Sequence, residues 1–287
     1  MAYLIGVNCS LGAGPDAGGR SRNEDNFLVC ENGKVRYLIN NMEESHDQEG
    51  DGVVVAVFDG MGGHDDGHIA SLTAAKVMAK LYRRGLPTNP ERVLVRYVRE
   101  AHETLYWKMA EVGEVTTGTT LVVAWFMHGT LTWISVGDSR LYRMQDDILE
   151  LMTLDHTRNE FARRDASTLV SPDGDHLCQS FIYGSRGLGD NSSVRVDSGL
   201  DSGTLPVSPG ECFLLCTDGV WSVLDEEDLV TLLLKHSDPD DAAEAICHSA
   251  IRAGAKDNVT ALVIRVKENR PPQVDWTDDF DAFRTLG

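Results

Sequence analysis

The chain has 287 residues, with 26 Lys and Arg against 45 Asp and Glu, a formal net charge of -19 and 42% hydrophobic residues. That balance repels polyanions, so nucleic acid is not an expected partner; it leaves ample apolar material for a folded core and suggests that some carboxylates are held against bound cations. No stretch approaches the roughly 18 unbroken apolar residues of a membrane helix, so no membrane partner is expected either.

The start, MAYLIGVNCS, has no basic segment ahead of a long apolar core and reads as a first strand rather than a signal peptide. Strand-like runs follow at 2–8, 27–30, 35–40, 53–58 (VVVAVF), 119–127 (TTLVVAWFM), 130–136 (TLTWISV), 140–144, 148–152, 212–217 and 259–266 (VTALVIRV). His128-Gly129 is all that separates two of them, the length and chemistry of a tight antiparallel hairpin. Helical stripes are predicted through Ala70, Ala74, Val77, Met78 and Leu81, and through Leu94, Val98, Ala101, Leu105, Met109 and Val112, the second opened by Asn89-Pro90-Glu91. A later helix pair is expected at about 225–235 and 239–253, the last opening at Asp238-Pro239 and closing at Gly254.

Strands and helices come in blocks rather than in strict alternation, which predicts an α+β fold with antiparallel sheets covered by helices, one domain over about 1–267. Residues 153–195 hold few apolar runs and are expected to form an irregular excursion over a site or on the surface. Residues 268–287 (ENRPPQVDWTDDFDAFRTLG) read as an acidic tail, whose Trp276, Phe280 and Phe283 form either a docking motif or a stretch folded back on its own domain. The six cysteines show no paired framework spacing, and a reducing cytoplasm fits them best.

Four aspartates share a context. Asp59 follows VVVAVF, Asp138 follows LTWISVG, Asp218 follows ECFLLCT, and Asp257 precedes NVTALVIRV. One Asp-Gly at a strand end is usually only a turn. Four are harder to dismiss, because paired sheets bring strand ends to one edge, where several carboxylates repel unless cations lie between them. Glu24 and Asp25, just ahead of a strand, are placed to join them. Such an all-oxygen donor set selects Mg²⁺ or Mn²⁺ over zinc and points to phosphate chemistry, in which two ions activate a water for in-line attack on phosphorus. Arg20, four residues before Glu24, is the candidate fork for the remaining phosphate oxygens.

In these residues the sequence resembles the metal-dependent protein serine/threonine phosphatases of the PPM (PP2C) type, in their bacterial form. The resemblance runs in order through RSRNED (20–25), VFDGMGGH (57–64), TGTTL (117–121), VGDSRLY (136–142), LMTLDH (151–156), GSRGLGD (184–190), LLCTDGVW (214–221) and AKDNVTALV (255–263). It implies a four-layer sandwich, two antiparallel sheets flanked by helix pairs, with a flap at about 157–185 beside the site. It also implies that Asp59 bridges two ions, that Asp218 and Asp257 hold one and Glu24 and the Gly60 carbonyl the other. By the same resemblance Asp25 holds metal-bound waters, Arg20 grips phosphate and Asp138 belongs to a weaker third site. The implied partners are phosphorylated proteins, substrates of serine/threonine kinases, met by a monomer. Two departures matter: Met61 stands where many members carry a histidine that serves as general acid, leaving His64 or a metal-bound water for that role, and Ser222 stands where many carry an aspartate that helps the third ion.

Rival readings are weaker. CENGKVR (30–36) has the Cys-x5-Arg spacing of cysteine-dependent phosphatases but reads as strand, Asn-Gly turn and strand. HDDGH (64–68) spaces two histidines as zinc helices do, yet Gly67 and the lack of a third soft ligand favour a loop entering a helix. His156 reads as a structural hydrogen-bonding residue, and Trp133 and Trp221 as core or site wall. A pseudophosphatase or sensor module that binds phosphoproteins without turnover is the alternative function; the intact Arg20, Glu24, Asp59, Asp218 and Asp257 speak against it.

Overall fold

The computed structural model describes residues 1–48, 50–62, 66–82, 89–112, 117–157, 181–182 and 200–268. Their strands form three antiparallel sheets. The largest holds, in spatial order, β13 (Asp201–Pro206), β9 (Thr130–Val136), β8 (Leu121–Met127), β5 (Val53–Phe58), β2 (Asn26–Glu31), β3 (Lys34–Ile39) and β4 (Met42–Asp47). The second holds β1 (Ala2–Ser10), β15 (Val259–Lys267), β14 (Cys212–Cys216), β10 (Arg140–Gln145) and β11 (Ile148–Leu151). A small third sheet joins β12 (Phe181–Ile182), β7 (Thr117–Thr119) and β6 (Gly60–Gly62).

Two tight turns follow from their dipeptides. Asn32-Gly33 joins β2 to β3 and His128-Gly129 joins β8 to β9, with positive φ at both residues of each pair, the left-handed geometry that matches strand twist. The first of these turns disposes of the Cys-x5-Arg reading, because Cys30 is buried in β2 and Arg36 lies opposite Val29 in β3, with no phosphate loop between them.

Side-chain alternation explains the layering. In β5 every residue is buried, because Val54, Ala56 and Phe58 face one way and Val53, Val55 and Val57 the other. The first set packs under helices α1 (Gly67–Tyr82) and α2 (Pro90–Val112), against Met78 and Tyr97. The second set packs on Leu215, Leu262 and Ile264 of the facing sheet. That sheet's outer face, with Leu214 and Val263, is covered by α4 (Glu226–Lys235) and α5 (Pro239–Arg252) through Leu229, Leu233 and Ile246. The result is the four-layer helix, sheet, sheet, helix arrangement expected from the sequence. A one-turn helix, α3 (Asp218–Trp221), follows β14.

Helix starts are fixed by side chains. The Asn89 Oδ1 accepts the Arg92 N–H at 3.1 Å, and the Asp238 Oδ1 accepts from Asp240 and Asp241 at 2.9 and 3.3 Å. Asp225 and Asp228 cap α4 reciprocally. The predicted strand at 119–127 is split, since Thr120 breaks it into β7 and β8. Most of the excursion predicted at 153–195, with its flap at about 157–185, and the tail beyond residue 268 lie outside the described residues.

Phe213, fully buried between the sheets and edge-on to Phe126 with ring centroids 5.2 Å apart, is the test of this core. Phe213→Ala is expected to lower unfolding free energy by about 3–5 kcal/mol, read from urea melts at constant slope.

Candidate metal centre

Register decides where the acids meet. Asn26 lies opposite Phe58, Val57 opposite Val122, and Leu121 opposite Val136. The start of β2, the end of β5, the start of β8 and the end of β9 therefore share one edge. In the facing sheet Cys216 lies opposite both Ala261 and Arg140, and Ser10 opposite Val259, so the end of β14 and the start of β15 share another. The two edges form a single rim, because the hydroxyls of Thr217 and Thr260 from one sheet both donate to the Asp25 Oδ2 of the other, at 2.8 and 2.6 Å.

Each sequence-predicted acid lies on this rim. Asp59 directly follows β5, and its backbone is pinned by Thr120, whose Oγ1 accepts the Asp59 N–H at 3.1 Å, and by Thr119, whose hydroxyl donates to the Asp59 carbonyl at 2.9 Å. The Glu24 Oε1 accepts the Gly67 N–H at 3.0 Å, which sets that carboxylate on the positive end of α1. The Glu24 backbone is tied across the rim, its N–H donating to the Asn258 Oδ1 at 2.9 Å. Gly60 sits against the Glu24 carbonyl and Gly67 so closely that a side chain there would collide with both backbones. Asp138 follows β9, with its carbonyl accepting the Trp221 Nε1–H at 2.9 Å.

Burial and like charge act together here. Asp25, only 4% exposed, is pushed up to about 8, by desolvation first and then by Asp218 and Asp257, against the two threonine hydroxyls. Asp138 is pushed up to about 7 by desolvation, Asp218 and Asp155. Asp59 and Asp218 are both raised, by desolvation first and then by the neighbouring charges of Asp218 and Asp257 respectively. Arg20 forks onto Asp257, its Nε and Nη2 each 2.8 Å from a carboxylate oxygen, and its field reaches Glu24 and Asp59. The predicted phosphate grip thus holds a carboxylate in this structure.

No three His, Cys, Asp or Glu side chains among the described residues stand as a ready-made metal cage. The donor set nonetheless fits hard divalent cations: it is all oxygen, it carries excess negative charge, and the buried Asp218 Oδ1 has no hydrogen-bond partner. His64 lies outside the described residues, which leaves the zinc reading of HDDGH and the general-acid reading untested; His68 lies in the first turn of α1. His156 is the structural residue expected, its Nδ1 accepting the Gly137 N–H at 3.0 Å and its own N–H donating back to the Gly137 carbonyl.

Sequence reasoning missed the residues beneath the acids. Thr217, Asn258 and Thr260 stand next to motif aspartates or in the same short motifs, and a hydroxyl or amide beside a strand-end acid is the signal that would have found them; Thr120, in the acid-free TGTTL, carries no such signal. It also missed the wall made by Arg140, which forks onto Asp155 and lies 3.7 Å over the Trp221 ring.

A charged rim of oxygen donors at one end of a double antiparallel sandwich, with a forked arginine beside it, is the arrangement that suits hard divalent cations and phosphate esters. Comparison gives the family: residues 30–259, which take in Asp59, Asp138, Asp218 and Asp257, match Protein phosphatase 2C. The chain belongs to the protein phosphatase 2C family. It is 27% identical over 250 residues to the Serine/threonine phosphatase stp of Listeria innocua, covering 85% of this chain and 90% of that one. Its fold is similar to that of the Mycobacterium tuberculosis serine/threonine phosphatase PstP/Ppp, with a TM-score of 0.72, 20% identity, and coverage of 93% of this chain and 100% of the other. A similar fit, with a TM-score of 0.70, 22% identity and the same coverage, is found to the catalytic domain of PstP in complex with 2 manganese ions.

The raised carboxyls set a sign for stability. From about pH 4 up to about 8 for Asp25 and about 7 for Asp138, the folded, chelator-treated chain holds protons that the unfolded chain has released, so these groups lower stability as pH rises through that window. Asp25→Asn is expected to gain thermal stability over the parent progressively from pH 4 to 8 in EDTA, measured by paired melts.

Proposed function

We propose that the chain is a serine/threonine phosphatase that removes phosphate from phosphoserine and phosphothreonine of proteins by direct attack of water, without a covalent enzyme intermediate. The observation that carries this reading is the meeting of Glu24, Asp25, Asp59, Asp138, Asp218 and Asp257, distant in sequence, on one rim with Arg20. Two divalent ions, Mn²⁺ or Mg²⁺, would be held by Asp59, by Asp218 and Asp257, and by Glu24 with the Gly60 carbonyl. When bound, such ions supply Lewis acidity, acidifying a water and shielding phosphoryl oxygens. The Mn-containing PstP structure and the serine/threonine phosphatases among the relatives support the assignment.

The protein's own residues do the rest. Arg20, with its side chain 52% exposed, reaches the rim and presents a planar fork that suits a phosphate as well as a carboxylate. Asp25, held from below by two hydroxyls, is placed to orient water at the rim. Asp138 would serve a weaker third ion; Ser222, at the end of α3, gives that ion no carboxylate. The departing serine or threonine oxygen needs a proton, which Met61 cannot give, and His64 is the nearest histidine in sequence. Among the described residues a thiolate route has no support, since burial pushes Cys9 and Cys216 up to about 12 and Cys212 to about 11.

The catalytic unit is assigned to residues 1–267, the flap to about 157–185 and an acidic tail to 268–287, in a monomer acting on substrates of serine/threonine kinases. A reducing, cytoplasmic setting accords with the free cysteines among the described residues, and no helix there is long and apolar enough to cross a membrane.

With Mn²⁺ the purified protein is expected to hydrolyse p-nitrophenyl phosphate and a phosphothreonine peptide, and EDTA to abolish both activities. Asp218→Ala is expected to cut kcat by at least about 100-fold. Turnover that survives chelation, or Mn²⁺ binding by calorimetry with no turnover at all, would overturn the proposal, the second in favour of a phosphoprotein-binding module. Arg20→Ala is expected to raise KM for the peptide about tenfold while Mn²⁺ still binds.

A further inference from the structure

Two cations stand in RSRNED, and the site accounts for only one. Arg22 lines a cleft of about 110 Å³ beside the rim, together with Asn40, Asn41 and His68. By comparison a single water needs roughly 10–15 Å³, so the cleft takes a group of several heavy atoms. It is walled by the start of β2, the turn between β3 and β4, where Asn40 and Asn41 have φ of 51° and 61°, and the first turns of α1.

Arg22 is half-buried, and among the described residues its guanidinium has neither a hydrogen-bond nor an ion-pair partner. This sets it apart from Arg20, Arg140 and Arg143, each of which forks onto or pairs with an acid. Its backbone is not loose, since the Asn258 Nδ2 donates to the Arg22 carbonyl at 3.0 Å, fastening it to the residue that also holds Glu24. Among the described residues the only acid on the cleft wall is Asp25, whose Oδ2 is taken up by the hydroxyls of Thr217 and Thr260. A cation in a chain of net charge -19, partly removed from water and left without an acid, is poised for an anion brought from outside.

Geometry says which anion. Arg20 and Arg22 are two residues apart, so their Cα atoms are separated by at most about 7 Å, and an extended peptide advances about 3.3–3.6 Å per residue. A substrate whose phosphorylated residue meets Arg20 at the rim therefore carries its neighbours, one or two positions away, past the cleft. We propose that this cleft is a specificity subsite in which Arg22 receives the carboxylate of an Asp or Glu flanking the phosphorylated residue. The subsite rests on the phosphatase reading above and adds to it a preference for acidic phosphopeptides.

The test is a set of phosphothreonine peptides identical except for Glu, Ala or Lys at each of the positions −2, −1, +1 and +2, assayed with Mn²⁺ for the parent, Arg22→Ala, Arg22→Lys and Arg22→Glu. For the parent, Glu at one or two of these positions is expected to raise kcat/KM about tenfold over Lys, through KM. Arg22→Ala should bring that ratio close to one, Arg22→Lys should keep part of it, and Arg22→Glu should reverse it. Circular dichroism checks folding, and Arg22→Gln, which keeps most of the stem, replaces the alanine variant if that one melts. Binding of a fluorescein-labelled phosphonate analogue of the best Glu peptide, followed by polarisation, should weaken in Arg22→Ala by the same factor. A parent that turns over every peptide with no Glu preference, or a preference that Arg22→Ala leaves intact, overturns the subsite and leaves the phosphatase standing. A parent that turns over none of them overturns the phosphatase and the subsite with it.

Discussion

The repulsion among carboxylates that the two sheets force together at one rim is the constraint on which the site depends. Two such charges about 4 Å apart repel by about 4 kcal/mol at an effective dielectric of 20, more than one buried side chain returns. The strand ends nonetheless stay in place, because the layer between the sheets, from Ile5 through Phe213 to Val266, is common to both and cannot splay at one edge without opening throughout. Electrostatic stress is relieved locally instead. Arg20 takes Asp257, burial and like charge hold Asp59 and Asp218 toward their protonated forms, and Asp25 rests on two hydroxyls.

Hydroxyl and amide partners suit such a rim for a physical reason. A threonine hydroxyl donates to a carboxylate and accepts from a backbone N–H at once, so it holds an acid in place without adding charge that would compete with a cation. Thr217 does both, donating to Asp25 and accepting the Thr260 N–H at 3.1 Å. Asn258 works similarly, joining the Glu24 N–H to the Leu11 and Arg22 carbonyls. The acids are thereby oriented by groups that remain neutral over the whole pH range in which the acids titrate.

Much of this was legible in the chain. Apolar runs such as VVVAVF and VTALVIRV declare strands covered on both faces, and Asp-Gly or Asp-Asn pairs at their ends mark the rim. The two edge strands of the largest sheet were not legible. β4 (MEESHD) is acidic and mostly exposed, and β13 (DSGTLP) has no apolar run; each is ordered by the open backbone edge of its neighbour, with Gly203 of β13 leaving room for the Trp133 ring. The hydroxyl contacts were hidden for a related reason, since Thr217 and Thr260 meet Asp25 across 192 and 235 residues of chain. Nor does spacing reveal that Arg20 would fork onto Asp257 while Arg22 would be left alone.

That division of labour among arginines follows from burial. Arg143 pairs with Glu211, which is 2% exposed, and Arg140 is clamped between Asp155 and the face of Trp221; withdrawing either strands a desolvated acid, which costs several kcal/mol. The Arg20 pair is different, with side chains 52% and 35% exposed, so water replaces either partner at little cost and the pair contributes about 0–1 kcal/mol. A fork held this weakly exchanges one oxyanion for another without disturbing the fold. Arg140 and Arg143 are therefore parts of the wall, and Arg20 is the cation at the rim whose acid can be exchanged for another oxyanion.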